Sequence, residues 1–285
     1  MKKIKTIFIV VCFLATEGLA YAQNPAEYFI LQNINNFISD EKGKCGAGSG
    51  VTGATEHFDE DHNVITCVTD YYNFQQRMAA EIKVEQHAGA DSDRWLLHEV
   101  EDNYRDDEYE TLGQLIDGAV MRRIDNNRVL WIGIGGGTFR WIRNNIVISI
   151  SYTDLQGTKP EPIEVVKAYL AKYPSTITAT DAEFKSKDYN KKWIKDEMER
   201  RLWLCDKWGM QLQIGKVSQQ DMLEALVKHM KVFLNYRQKY YGMKAADDIT
   251  SISTALQAND GTTIKNKLSI YKTWWSANKG KSISI

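Results

Sequence analysis

The fold of this chain is decided by residues 138–153, which read TFRWIRNNIVISISYT. Two runs that alternate between apolar and polar residues flank Asn144-Asn145, and asparagine accepts the positive φ angles that a two-residue hairpin turn requires. With the turn at this pair, Trp141 faces Ile148 across the hairpin, and the next residue on each strand points to the other side. One face is therefore apolar and the other largely polar, which is typical of an antiparallel sheet with one buried side.

Further strands extend this hairpin. Asn126-Asn127 predicts a second tight turn, which joins strands over residues 120–124 and 128–132. Residues 64–71 are rich in β-branched side chains and predict another strand. Residues 74–87 fit a helix and a strand equally well.

Helices are predicted on either side of these strands. Asn24-Pro25 is a suitable start for a helix that runs to about residue 39. A second helix, over residues 162–173, carries apolar residues along one side and suits the apolar face of the sheet. Residues 89–110 are acidic and rich in turn formers. We therefore predict an α+β domain over residues 23–178, in which an antiparallel β-meander is flanked by helices.

From residue 179 the pattern becomes helical. Ser218 and Asp221 have the spacing of a capping box, and Asp260 can cap the last helix. Short connections between amphipathic helices predict an antiparallel bundle of about four helices over residues 179–285. The apolar residues recur every three or four positions over 188–213, 218–241, 245–258 and from 260 onward.

The first residues predict a cleavable secretory signal peptide over residues 1–22. A short cationic start precedes the apolar run IFIVVCFLA at 7–15, and the small-x-small sequence AYA follows at 20–22. The apolar run is too short for a membrane span, which needs about 20 residues. We therefore expect a periplasmic or secreted protein that begins near Gln23 and has no transmembrane segment.

Export would place the cysteines in an oxidising compartment, where disulfides form. In an oxidising compartment Cys45 and Cys67 are the natural disulfide pair, and they close a glycine-rich loop. Closure of a loop of this length is worth about 3 kcal/mol in the chain-entropy model. Cys205 falls on the apolar side of a predicted helix, which favours a buried thiol; the alternative is a disulfide to another molecule.

Charge is unevenly distributed along the chain. Residues 24–182 hold 14 Lys and Arg against 25 Asp and Glu, whereas residues 183–285 hold 19 against 11. Either the two halves attract each other, or the basic half meets an anionic polymer or a membrane surface. Nucleic acid is a disfavoured partner, because export removes its usual encounter with such a protein.

Two motifs invite a chemical interpretation. The glycine run GIGGG at 133–137 lacks the Lys-Ser/Thr of a phosphate-binding loop and predicts a turn or bulge between strands. No cofactor is predicted. His57, Asp59, Asp61 and His62 form the second motif, since imidazole and carboxylate both bind divalent metal. The alternative for that segment is a solvated acidic loop.

The helical half is rich in tryptophan. Trp203 and Trp274 fall outside the apolar stripes of their helices. Beside Lys207, Lys272 and Lys279 they are candidates for stacking on sugars or anchoring a partner. The alternative is that the bundle buries them.

The sequence favours an exported, non-catalytic protein that binds through its basic, Trp-rich helical half. The expected partner is an envelope protein, an anionic polysaccharide or a membrane surface. The alternative is an exported, metal-assisted hydrolase that uses the segment from His57 to His62. A chaperone-like role is a third hypothesis, and nothing in the sequence separates it from the first.

Overall fold

The computed structural model combines an antiparallel sheet and its helices with a C-terminal helical region, which confirms the predicted fold class. None of the helices in the described part of the chain is both long and apolar enough to cross a bilayer. The predicted signal peptide and the segment that holds Cys45 and the His57–His62 loop lie outside the described residues. The structure describes residues 29–31, 33–34, 37–44, 64–74, 77–87, 93–106, 112–133, 136–153 and 161–285.

The main sheet has eight strands in the order β1-β2-β3-β4-β10-β9-β8-β7. All neighbouring pairs are antiparallel, so two four-stranded meanders lie side by side and meet where β4 pairs with β10. Strands β5 and β6 form a separate small ribbon. The bounds are β1 (Asn33–Ile34), β2 (Phe37–Lys44), β3 (Val64–Phe74), β4 (Arg77–His87), β5 (Arg105–Asp106), β6 (Gln114–Leu115), β7 (Ala119–Ile124), β8 (Asn127–Ile132), β9 (Gly136–Arg143) and β10 (Ile146–Thr153).

One of the two predicted asparagine turns is confirmed, and the other is displaced. The hairpin at Asn144-Asn145 is confirmed, and Trp141 pairs with Ile148 in β9 and β10. The other turn is displaced by one residue from the prediction: Ile124 pairs with Asn127, and Asp125-Asn126 forms the turn, with a φ of 52° at Asp125. Asp125 tolerates this left-handed conformation. Asn127 lies in β8 rather than in the turn, and its Oδ1 accepts a hydrogen bond of 3.0 Å from the Ser175 N–H.

The predicted N-terminal helix is wrong from residue 33 onward, although Phe29 is helical. Residues 33–34 and 37–44 are strands β1 and β2, because β2 completes a ladder with β3 that overrides the helical spacing of its apolar residues. The ambiguous segment 74–87 is largely strand β4. The acidic segment 89–110 contains a helix, α1, at Asp93–Asp102.

The seven helices of the described residues divide between the two parts of the chain. α2 packs on the sheet, where the indole N–H of Trp141 donates to the Tyr173 carbonyl oxygen over 2.8 Å. α4 to α7 pack against one another as the predicted bundle, and the Ser218–Asp221 capping box and the Asp260 cap are confirmed. The bounds are α1 (Asp93–Asp102), α2 (Ile163–Lys172), α3 (Asp181–Phe184), α4 (Lys187–Gln213), α5 (Gln219–Tyr241), α6 (Ala246–Gln257) and α7 (Gly261–Asn278).

Each part has its own apolar core, and the cores interleave along the sequence. Phe184 packs in the core of the sheet, whereas Leu112 packs in the core of the bundle. Cys205 is buried in the bundle core as a free thiol, as predicted, and its burial raises its pKa to about 12. The two parts meet where α1 packs against α4.

Of the glycine run, Gly133 follows β8, and Gly136 and Gly137 begin β9. The ring of Trp131 lies against Gly133 and Gly137. A Cβ atom at Gly133 would lie 2.0 Å from Cη2 of Trp131, and a Cβ atom at Gly137 would lie 2.7 Å from its Nε1. Gly133 and Gly137 are therefore required by the packing of an aromatic ring.

Candidate functional site

The structure places Trp203 and Lys207 against the sheet half rather than in open solvent. The ring of Trp203 lies 5.8 Å from that of Trp95 on α1. Nζ of Lys207 lies 4.6 Å from the centre of the Trp203 ring, and only 5% of Lys207 is exposed. Lys207 is therefore a buried neighbour of Trp203, and its role in binding stays a prediction.

The other two expected lysines form ion pairs across the bundle. Lys272 on α7 pairs with Asp206 on α4. Nζ of Lys279 lies 3.5 Å from Oε1 of Glu199, also on α4. These pairs join α7 and the residue that follows it to α4, and solvent screens them because their side chains are partly exposed.

Trp274 belongs to a different aromatic cluster from Trp203. Its ring contacts Tyr241 at 5.1 Å and Phe233 at 6.0 Å, both on α5. The five residues expected to bind a partner are therefore not gathered in one exposed cleft.

The metal and disulfide predictions stay predictions. His57, Asp59, Asp61, His62 and Cys45 lie outside the described residues, and only the backbone of Cys67, in β3, is described. Within the described ranges, no group of three His, Cys, Asp or Glu side chains is placed to hold a metal ion.

A buried ionic cluster lies where α1 meets α4. Glu197 is its centre: Oε2 lies 2.7 Å from Nε2 of His98 on α1 and 3.3 Å from Nη1 of Arg200. Arg201 donates to the other carboxylate oxygen and also contacts His229. Burial alone would raise the pKa of Glu197, but Arg201, His98 and Arg200 hold it well below its usual range.

Glu101 extends this cluster by one helical turn. Its Oε1 accepts a hydrogen bond of 2.5 Å from the Tyr189 hydroxyl. Burial raises the pKa of Glu101 to about 7, although Tyr189 and Arg105 act in the opposite direction. Burial also lowers the pKa of His98, against the effect of Glu197.

A pocket of about 140 Å³ opens beside this cluster, but its charges are already matched. His98 is held by Glu197, Glu101 by Tyr189, and Arg94 by Asp196 at 2.5 Å. The cluster therefore joins the two parts of the chain and leaves little polar capacity for a ligand.

A second cavity, of about 340 Å³, lies between the β5–β6 ribbon and the ends of α3, α4 and α5. We call it the junction cleft. None of the eleven lining residues described by the structure has an acidic side chain. Its basic and aromatic lining residues are Arg105, Phe184, Lys185, Lys187, Lys239 and Tyr240.

Local structure adds to the positive potential of the junction cleft. Ser186 caps α4, and Lys187 is the first residue of that helix, whose N-terminus carries partial positive charge. Lys185 pairs with Asp181 at 3.1 Å, but both side chains are more than 40% exposed, so solvent screens that pair. The cleft therefore combines basic side chains with a helix N-terminus, and both features favour anions.

Arg105 is the buried member of the junction cleft, with 5% of its surface exposed. Its Nη1 donates to the Gly113 carbonyl oxygen and to Oδ1 of Asn190, each over 2.7 Å. Its Nε and Nη2 are buried with no hydrogen-bond partner.

Sequence reasoning did not identify this site. Arg105 precedes Asp106-Asp107-Glu108, and a charged run of this kind indicates a solvated surface. Its partner Asn190 lies 85 residues away, so no local pattern joins them. The excess of Lys and Arg over Asp and Glu in residues 183–285 indicated a basic region, but it did not indicate where in that region a ligand would bind.

Against protein-family models, curated proteins and solved structures, the chain gives no match.

Proposed function

We propose that the chain is an exported, non-catalytic protein that binds an anionic polysaccharide through the junction cleft. The observation that carries the proposal is the concentration of four basic residues around one cavity without an acidic side chain among its described lining residues. Charge complementarity of this kind draws an anionic polymer to the cleft.

The shape of the cleft favours a polymer chain over a membrane. A concave cavity of about 340 Å³ has the size of a small-ligand site and accepts a short stretch of an acidic carbohydrate. A flat lipid surface meets the exposed lysines on the rim but does not fill the cavity. The predicted signal peptide supports an encounter with envelope polymers.

The basic-aromatic site expected from the sequence is therefore moved. In the proposal, Lys187 rather than Lys272 or Lys279 is the charge that meets the ligand, because Lys187 lines the cleft and the other two do not.

Binding to polygalacturonate, measured by titration calorimetry on a chain that begins at Gln23, tests this function. We expect Lys187→Glu to weaken binding about three- to tenfold, because one favourable charge becomes unfavourable. Binding should also fall as salt rises, since screening acts on exposed charges. The matched control is Lys265→Glu, an equally exposed change on α7 outside the cleft.

The proposal fails if the wild-type chain binds no anionic polysaccharide, or if Lys187→Glu and Lys265→Glu have equal effects. Poly-L-glutamate provides the comparison with an acidic protein. Tighter binding to that polymer than to polygalacturonate would replace the polysaccharide with a polypeptide partner.

Export has its own test. Expression of the full chain in a bacterial host, followed by fractionation and N-terminal sequencing, should give a periplasmic or secreted product that starts near Gln23. A cytoplasmic product that keeps Met1 would contradict export.

A further inference from the structure

We propose that Arg105 is the specificity-determining residue of the junction cleft, and that its Nε–Nη2 edge binds two oxygens of a sugar carboxylate or sugar phosphate. This inference rests on the proposed function and deepens it, because it names the ligand group that the cleft recognises. The surface lysines then attract the polymer, and Arg105 selects the oxyanion.

The hydrogen bonds of Arg105 leave one edge of its guanidinium unused. Nη1 is engaged by the Gly113 carbonyl oxygen and by Asn190. Nε and Nη2 have no partner. These two nitrogens carry parallel N–H bonds on one side of the planar group, which is the geometry that holds carboxylate and phosphate in a bidentate manner.

Such an edge is unusual within this chain. Arg140, Arg200 and Arg237 each have a buried Nε without a partner, but Arg105 is the one arginine of the described ranges in which both Nε and Nη2 are in that state. Native proteins rarely leave buried donors unsatisfied, and a bound ion is one of the ordinary reasons.

The guanidinium is also held in place. Its central carbon lies 4.6 Å from the ring centre of Trp193 and 5.4 Å from that of Phe184. Two aromatic contacts and the two hydrogen bonds of Nη1 fix its plane. A fixed plane loses little conformational freedom when an oxyanion binds.

Nearby acids do not occupy this edge. Glu101 and Asp102 act on Arg105 electrostatically, but the Glu101 carboxylate is bound to the Tyr189 hydroxyl. Nε and Nη2 are buried, so an oxyanion reaches them after a local rearrangement of the cleft lining.

Titration calorimetry with three monosaccharides tests the inference: glucuronate, glucose 6-phosphate and glucose. Arg105→Lys keeps the charge but removes the bidentate edge, so we expect its affinity for the acidic sugars to fall by about tenfold or more. The wild-type chain should not bind glucose. The acidic sugar that binds more tightly shows whether the cleft recognises a carboxylate or a phosphate.

Two further variants provide the comparison. Arg123→Lys makes the same change at an exposed arginine outside the cleft, and should bind like the wild type. Lys187→Glu should weaken the binding of both acidic sugars, because it replaces a positive charge at the cleft with a negative one.

The outcomes separate the inference from the proposed function. If Arg105→Lys binds like the wild type while Lys187→Glu weakens binding, the specificity role of Arg105 is wrong and the anionic cleft stands. If the wild type binds neither the acidic sugars nor an anionic polysaccharide, both fail.

Arg105 also supports its surroundings, so the lysine variant risks misfolding. A wild-type crystal soaked with the tighter sugar then decides. Two ligand oxygens within about 3 Å of Nε and Nη2 support the inference. An oxyanion held only by Lys187 and Lys239 overturns it.

Discussion

Glu101 shows how burial changes the chemistry of a single residue in this molecule. Its pKa rises from 4.5 to about 7 because burial penalises the charged carboxylate. Between these two values the folded chain keeps a proton that the unfolded chain has released. Stability that depends on Glu101 is therefore fully present below about pH 4.5 and is lost as the pH rises through about 7.

Glu101→Gln should remove this pH dependence. We expect the free energy of unfolding of the wild type, relative to the variant, to fall by on the order of 2–3 kcal/mol between pH 4.5 and pH 8. Urea titrations at both pH values measure it. His98 has the opposite tendency, because burial lowers its pKa, but it is present in both proteins and largely cancels. Parallel pH profiles for the two proteins would contradict the prediction.

Residues whose roles are local could be predicted from the sequence, and residues whose roles depend on distant partners could not. Ser218 and Asp260 cap the next turn of their own helices, and Cys205 lies on an apolar stripe. Glu197 and Arg105, by contrast, are defined by residues far along the chain. Their sequence neighbours are charged, which indicated exposure.

At the scale of elements, the link between β8 and β9 depends on how Trp131 packs. A Cβ atom at Gly133 would collide with its ring at 2.0 Å. Arg122 covers the same ring, with its guanidinium carbon 3.5 Å from the ring centre. The ring therefore has little freedom to move away.

Gly133→Ala should destabilise the chain by about 2–3 kcal/mol, because the added methyl overpacks against Trp131. Gly209→Ala is the matched control, since nothing lies within 4 Å of its Cβ position inside α4. That change should be neutral or stabilising by up to about 1 kcal/mol, because alanine is the better helix former. Thermal unfolding compares them, and equal midpoints for the two variants would refute the packing role of Trp131.

Elements with strong local signals were predicted well, and those that depend on pairing were not. The bundle helices have caps and a consistent apolar spacing, and the hairpin at 144–145 has a turn sequence that fixes its register. Residues 33–44 have apolar spacing that fits a helix, yet β2 lies in a ladder with β3 that only the tertiary fold supplies. The helix α1 was not predicted, because it lies in an acidic segment that is rich in turn formers.

At the scale of the whole molecule, the contact between α1 and α4 joins two apolar cores through buried charge. Glu197 is 1% exposed and faces two arginines and a histidine. A buried carboxylate in such a cluster does little for net stability when all partners are present, but its loss leaves the arginines uncompensated.

Glu197→Gln should therefore destabilise the folded chain by about 3–5 kcal/mol. Glu224→Gln, at an exposed position on α5, should change the free energy of unfolding by no more than about 0.5 kcal/mol. Urea unfolding followed by circular dichroism gives both values. A loss below 1 kcal/mol at Glu197 would mean that the cluster is already open to water.

The pair formed by Trp95 and Trp203 gives this junction an optical signature. The two indoles belong to α1 and α4 and lie 5.8 Å apart with a 30° angle between their planes. Fixed aromatic pairs contribute to near-ultraviolet circular dichroism, and that contribution is lost when tertiary packing loosens while helices persist. Separation of the two parts would therefore be visible in the near ultraviolet before any helix melts, without an added label.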